Sequence, residues 1–118
     1  MADKKNAWSG NVGTGSALLL SDQVPLVSEE VRPSDPLKTR MCGKVGIDIS
    51  ADQNCTVKIV RLPDGETPGE VSDVGSVVAG TPAFFLYTSV LCPAVRVVVE
   101  NTGGADMTAF SMYVRGGA

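Results

Sequence analysis

The sequence predicts an all-β fold, an antiparallel sandwich of about eight strands, on three observations. Val45, Ile47 and Ile49 alternate with Lys44, Asp48 and Ser50, and Cys55, Val57 and Ile59 with Thr56, Lys58 and Val60. This period of two belongs to strands with one buried face. The stretch from Pro93 onward, PAVRVVVENTGGADMTAFSMYVRGGA, alternates through Val95, Val97 and Val99 and resumes at Thr108, Phe110, Met112 and Val114. Between them lie Asn101, Thr102, Gly103, Gly104 and Ala105, some of which tolerate positive φ, so a closing β-hairpin is expected. Finally, no window carries apolar residues at helical spacing with caps.

Residues 1–15 are mostly Gly, Asn, Ser and Lys, too polar for a packed element, and are expected to form a flexible arm ahead of a β-sandwich domain over 16–118. Ser16–Leu20 and Val24–Val31 read as short strands around a Ser21-Asp22-Gln23 turn, with Pro25 confining the second to an edge. Pro33 and Pro36 disfavour both ladder and helix, which makes Arg32–Lys38 a surface connection. Lys44–Ser50 and the strand from Cys55 then face the same way around an Asp52-Gln53-Asn54 turn. Pro63-Asp64-Gly65 marks a turn, because Pro presets φ and Gly accepts positive values. Over Glu66–Gly80 one or two short edge strands are expected, broken at Gly69 and Gly75. Ala83–Leu91, with Phe84, Phe85 and Tyr87, reads as a long central strand.

A chain of 118 residues is one domain. Its 10 Lys and Arg stand against 13 Asp and Glu, a net charge of −3 without a basic stripe. Clustered cations drive nucleic-acid binding by counterion release, so no nucleic-acid partner is expected. MADKKNAWSG has no apolar signal region, and runs such as Ala17–Leu20 are far short of a membrane span. A protein made in the cytoplasm, with no membrane partner, follows as the expectation. Cys42, Cys55 and Cys92 are widely spaced and no His occurs. Zinc ligation therefore lacks spacing and partners, and buried reduced thiols are expected ahead of a Cys42–Cys55 bridge.

Candidate chemistry is sparse. Without His, the usual general base and the Ser–His and Cys–His pairs are missing, so no enzyme, catalytic residue, cofactor or metal is expected. Glu29, Glu30, Asp64, Glu66 and Asp73 fall mostly in turns and connections. SGNVGTGS has the glycines of a phosphate loop, without its Lys or its strand-to-helix context. Asp48, Asp52 and Asn54 offer oxygens near a turn, though not at the spacing of a calcium cage. Three residues are candidates for partner binding. Trp8 and Val12 are either incidental to a polar tail or apolar anchors of a docking arm. Arg96 projects opposite to Val95 and Val97, toward an ordinary surface ion pair or one across a subunit interface.

The run LVSEEVRPSDPLKTRMCGKVGIDISADQNCTVKIVRLPDG, followed by AVRVVVENTGGADMTAFSMYVRG, resembles small jelly-roll-like β-sandwich proteins of tailed-bacteriophage virions, capsid decoration (cement) proteins among them. The likeness spans roughly Leu18–Gly116 and rests on four features: the Asp64-Gly65 turn, the Val95-Arg96-Val97 strand, the Asn101-Thr102-Gly103 turn and the Thr108, Phe110 pair. It implies a non-enzymatic virion structural protein on the capsid surface that binds the major capsid protein and stabilises the assembled head. By analogy with decoration proteins, it also implies a homo-oligomer, specifically a trimer. The alternative is a carbohydrate-binding or host-recognition module of a tail or fibre. Sugar platforms are usually aromatic, and Trp8, Tyr87 and Tyr113 leave few residues for that role.

Overall fold

The protein is described here by a computed structural model that covers residues 26–117, with the backbone of 10–11 and 17–21. Among the described residues there are ten strands: β1 (Gly10–Asn11), β2 (Ala17–Ser21), β3 (Val31–Pro33), β4 (Leu37–Lys38), β5 (Lys44–Ala51), β6 (Cys55–Leu62), β7 (Val71–Val77), β8 (Ala83–Tyr87), β9 (Ala94–Asn101) and β10 (Phe110–Gly117). β1 and β4 have two residues each, which leaves eight strands of three or more. They form a six-stranded sheet ordered β1-β4-β9-β6-β7, with β3 also on β9, and a four-stranded sheet ordered β2-β10-β5-β8. Pairing is antiparallel except between β1 and β4. The all-β antiparallel sandwich expected from the alternation is what folds.

Alternation decides what lies between the sheets. Val45, Ile47 and Ile49 of β5, Cys55, Val57 and Ile59 of β6, Val95, Val97 and Val99 of β9, and Phe110, Met112 and Val114 of β10 are all buried in one cluster. Fully burying each such side chain is worth roughly 1.5–3 kcal/mol, and the branched ones suit the pleat. The three thiols are buried and unbridged, as expected. Burial pushes the Cys55 thiol up to about 11.

Connectivity departs from the sequence reading in several places. The residues after Pro93 do form strand, turn and strand, but β9 belongs to the six-stranded sheet and β10 to the four-stranded one, so no closing hairpin forms. β5 and β6 likewise face each other across the core and share no ladder. In both cases period two reports which face is buried, and a facing strand in the other sheet satisfies it as well as a neighbour. Residues 22–25, with most of the expected Ser21-Asp22-Gln23 turn, lie outside the described residues; over the rest of the expected Val24–Val31 strand there is a bridge between Leu26 and Met107 and then the short β3. β2 pairs with β10 while β3 pairs with β9, so the early strands do not pair with each other.

The Pro-bearing segment is a second correction. Arg32–Lys38 is no surface connection: β3 and β4 both lie on β9, and Leu37 is in the core. Buried Ser34 bridges the break, since its amide donates to the Val97 carbonyl (2.8 Å) and its Oγ accepts from the Val97 amide (3.0 Å). Where the chain leaves the ladder between the prolines, this hydroxyl oxygen stands in for a main-chain acceptor and keeps the Val97 amide paired.

The third correction concerns Ala83–Leu91. Only Ala83–Tyr87 is a strand, and it sits at the edge of its sheet, not at the centre. Gly75 does not break β7 either; any Cβ there would collide with the Phe85 ring, so the glycine makes room for a side chain of the opposite sheet. The Pro63-Asp64-Gly65 turn forms as expected: Gly65 has φ 89° and its amide bonds to the Leu62 carbonyl at 2.9 Å. It opens the β6–β7 hairpin.

Candidate functional site

The carboxylates that the sequence offered as chemistry hold loops in place. Asp64 Oδ1 accepts from the amides of Glu66 (2.9 Å) and Thr67 (2.6 Å), and Oδ2 accepts from Thr67 Oγ1 (2.8 Å). Those backbone and hydroxyl bonds hold its carboxyl down to about 2. Asp52 accepts from Thr108 Oγ1 (2.9 Å) and the Thr108 amide (3.1 Å). Desolvation acts upward on Asp52, and the bonds from Thr108 and Ala109 outweigh it, so its carboxyl sits below the usual range. Asn54 Oδ1 accepts from the Ala79 amide at 2.8 Å. Asp48 lies on β5, away from this turn, so the three oxygens do not converge. Among the described residues there is no group of three metal-ligating side chains.

Among the described residues Arg96 makes no ion pair. Its Nη1 donates to the Ser34 carbonyl at 2.6 Å, so it fastens the β3–β4 break onto β9. Within the described residues this main-chain bond stands where an ordinary surface ion pair was expected. Trp8 and Val12 lie outside the described residues, as does most of the expected arm; the backbone of Gly10–Asn11 runs parallel to β4.

A face the sequence reading passed over is the outer surface of the four-stranded sheet. Register places Tyr113, Asp48 and Phe84 in one row across β10, β5 and β8, with Arg115, Gly46 and Leu86 in the next. Phe84, Leu86 and Tyr113 are 58, 52 and 45 % exposed. Side chains of one row on neighbouring strands are in reach of each other, so these residues form a single surface. The Phe84 ring leans across β5, where a Cβ on Gly46 would stand 3.0 Å from it. The absent side chain leaves a depression of about 190 Å³ lined by Lys44, Gly46, Asp48, Phe84, Leu86 and Arg115 among others. A second depression of about 150 Å³, with Ser50, Ser111 and Tyr113, shares Asp48 with it. Among the described residues, Lys44, Asp48 and Arg115 make no ion pair.

A signal for this face existed. Ala83, Phe85 and Tyr87 point inward while Phe84 and Leu86 point outward, so β8 is apolar on both faces. Counting only Trp and Tyr as possible platforms left Phe84 out.

No protein-family model matches the sequence, and no curated protein matches it. Solved structures share the fold. The PBSX exported protein XepA is 21% identical with a TM-score of 0.66, the match covering all of this chain and 40% of that one. A family 29 carbohydrate-binding module from Piromyces equi is 17% identical over 86% of this chain and 77% of the module, with a TM-score of 0.48. The chain thus spans less than half the length of XepA, and what it shares with that protein is a β-sandwich architecture.

Proposed function

We propose that this chain is a non-enzymatic module of a phage particle, a decoration protein that binds the outer surface of the assembled head and stabilises it. The observation that carries this reading is the likeness in fold of this whole chain to part of an exported protein of the phage PBSX. It is supported by the use of Asp52 and Asp64 as loop fasteners, which gives these two carboxylates structural work. The mechanism is mass action: a protein that binds only the assembled shell shifts the equilibrium away from disassembly. The major capsid protein is the partner, and a homo-oligomer, a trimer in this reading, multiplies modest contacts into avidity. The test is co-sedimentation with heads assembled from a phage major capsid protein. Full-length protein should saturate the heads and raise their disruption temperature; protein lacking residues 2–15 should fold and bind weakly. Equal binding by the two would remove the arm from the mechanism, and absence of binding by either would end the decoration reading.

A second reading is favoured by one observation, the exposed row of Phe84, Asp48 and Tyr113. An aromatic row with charged neighbours on an open sheet face suits a carbohydrate-binding module of a tail or fibre. This answers the scarcity of Trp and Tyr, because Phe84 supplies the ring.

A further inference from the structure

The outer face of the four-stranded sheet combines features that restrict what it can take. Its floor is apolar, made of the Phe84 ring and Leu86, and it is open because Gly46 carries no side chain. Its rim offers donors in Lys44 and Arg115 and an acceptor in Asp48. An apolar peptide or lipid laid here would dehydrate three charges without pairing them, at a cost no apolar contact of this size recovers. A phosphate or other small anion would meet Asp48 and gain nothing from the ring. The ligand that matches both is a ring with an apolar C–H face and a rim of hydroxyls able to donate and accept.

We propose that this depression is an oligosaccharide site in which one pyranose ring stacks on Phe84 while its hydroxyls bond to Asp48, Lys44 and Arg115. The proposal rests on the carbohydrate-binding reading and gives it a location. The adjoining depression extends the site along the row toward Tyr113. Tyr113 is two strands from Phe84, roughly 9.5 Å at the usual inter-strand spacing, so the face takes a chain of sugars and not one ring. Asp48, shared by both depressions, lies between the rings and can bond to two successive sugars. Aromatic stacking supplies affinity and the charged rim supplies orientation, the division of labour common to small-ligand sites.

The experiment is calorimetric titration of the full chain with mannohexaose, cellohexaose, xylohexaose and the hexamer of N-acetylglucosamine. At least one should bind. Phe84→Leu, which keeps apolar bulk and loses the ring, should weaken binding by about tenfold, and Phe84→Trp should hold it within about threefold. Gly46→Val, which fills the depression, should also weaken it by about tenfold. Far-ultraviolet circular dichroism checks each variant, and exposed Asp48→Asn, with a similar expected loss, replaces any that fails to fold. If a hexasaccharide binds the wild type and these variants alike, the site is wrong and the carbohydrate reading survives. If the wild type binds none of the four, both fall together.

Discussion

The two ends of the sandwich solve the same problem in opposite ways. At one end, where β5 gives way to β6 and β9 to the loop before β10, buried Asn101 closes the structure. Its Nδ2 is shared among the carbonyls of Leu26 (2.8 Å), Ala105 (3.0 Å) and Val27 (3.2 Å), and its Oδ1 accepts from the Gly103 amide at 2.9 Å. Asp52 and Asn54 fasten the flanking loops there. At the other end, residues 39–42 are stitched to 90–93: Thr39 Oγ1 donates to the Cys92 carbonyl, the Leu91 amide bonds to the Cys42 carbonyl (3.1 Å), and Arg61 clasps the Val90 carbonyl with Nε and Nη2 (3.0 and 2.9 Å). This end keeps three non-glycine residues at positive φ, Arg40 (53°), Met41 (58°) and Leu91 (33°), against Glu29 alone (70°) at the Asn101 end. Met41 and Leu91 are also 56 and 63 % exposed, and among the described residues the buried Tyr87 hydroxyl has no partner. One end centres on a satisfied side chain; the other concentrates the strain, roughly 1–2 kcal/mol per left-handed residue. A sandwich can close a loop cluster with one well-placed amide or with several imperfect main-chain bonds, and the two should respond differently to mutation.

The largest difference should appear on removing the central side chain of the satisfied end. Asn101→Ala leaves the Gly103 amide without its acceptor and three carbonyls without their shared donor, and should cost about 2–4 kcal/mol in denaturant unfolding. A loss below about 0.5 kcal/mol would mean that water replaces the carboxamide and that the two ends are less unlike than the hydrogen bonds indicate.

A pH titration sharpens the same contrast, because Cys55 lies opposite Asn101 in the ladder. Its folded pKa of about 11 is raised above the unfolded thiol value near ~8.5. The folded state therefore holds its proton longer. The associated stability is fully present below the unfolded pKa and is lost as pH rises through the folded one. Thermal midpoints should fall between those two values, and Cys55→Val should flatten that part of the slope.

At the strained end the signs reverse. Met41→Gly relieves a left-handed conformation that glycine adopts freely and should raise stability by up to about 1 kcal/mol, after the greater unfolded-state entropy of glycine is subtracted. A clear destabilisation would show that Met41 packs more tightly than its exposure implies. The smallest effect belongs to Tyr87→Phe, which removes the unpartnered hydroxyl and should be neutral or slightly stabilising, within about 0.5 kcal/mol by chemical denaturation. A loss larger than that would reveal a bond made by this hydroxyl in solution.

The sequence was most informative where burial and periodicity coincide. Val45, Ile47 and Ile49, and Phe110, Met112 and Val114, lie in the core as their alternation implies, because a strand with one wet face has no other arrangement. Which strands share a ladder was not legible. Alternation at Val95–Val99 and at Phe110–Val114 is the same whether those strands are neighbours or face each other across the core. The Asn101–Ala105 segment resembles a hairpin turn in composition, yet the Asn101 amide ties it to the distant segment 26–27, a contact that depends on tertiary structure alone. Arg32–Lys38 was misread because its two prolines hide a strand that Ser34 repairs with its side chain. The candidate site was half visible: the glycine and the aromatic residue were in plain view, but their juxtaposition depends on the β5–β8 register.

The order of strands along the chain has a consequence for synthesis. β9 joins β3, β4 and β6, and β10 joins β2 to β5, so each sheet is organised around a strand that lies later in the chain than those it joins. Until residues 94–117 leave the ribosome, the β6–β7 hairpin and the β5–β8 pair have no central strand to lie on, and β2 has no partner. Non-local pairings of this kind set folding times of milliseconds to seconds, and here the closing step waits on residues 94–117. The nascent chain should therefore remain protease-sensitive until those residues emerge and then fold in one concerted step, its exposed apolar strands a burden for chaperones until that moment.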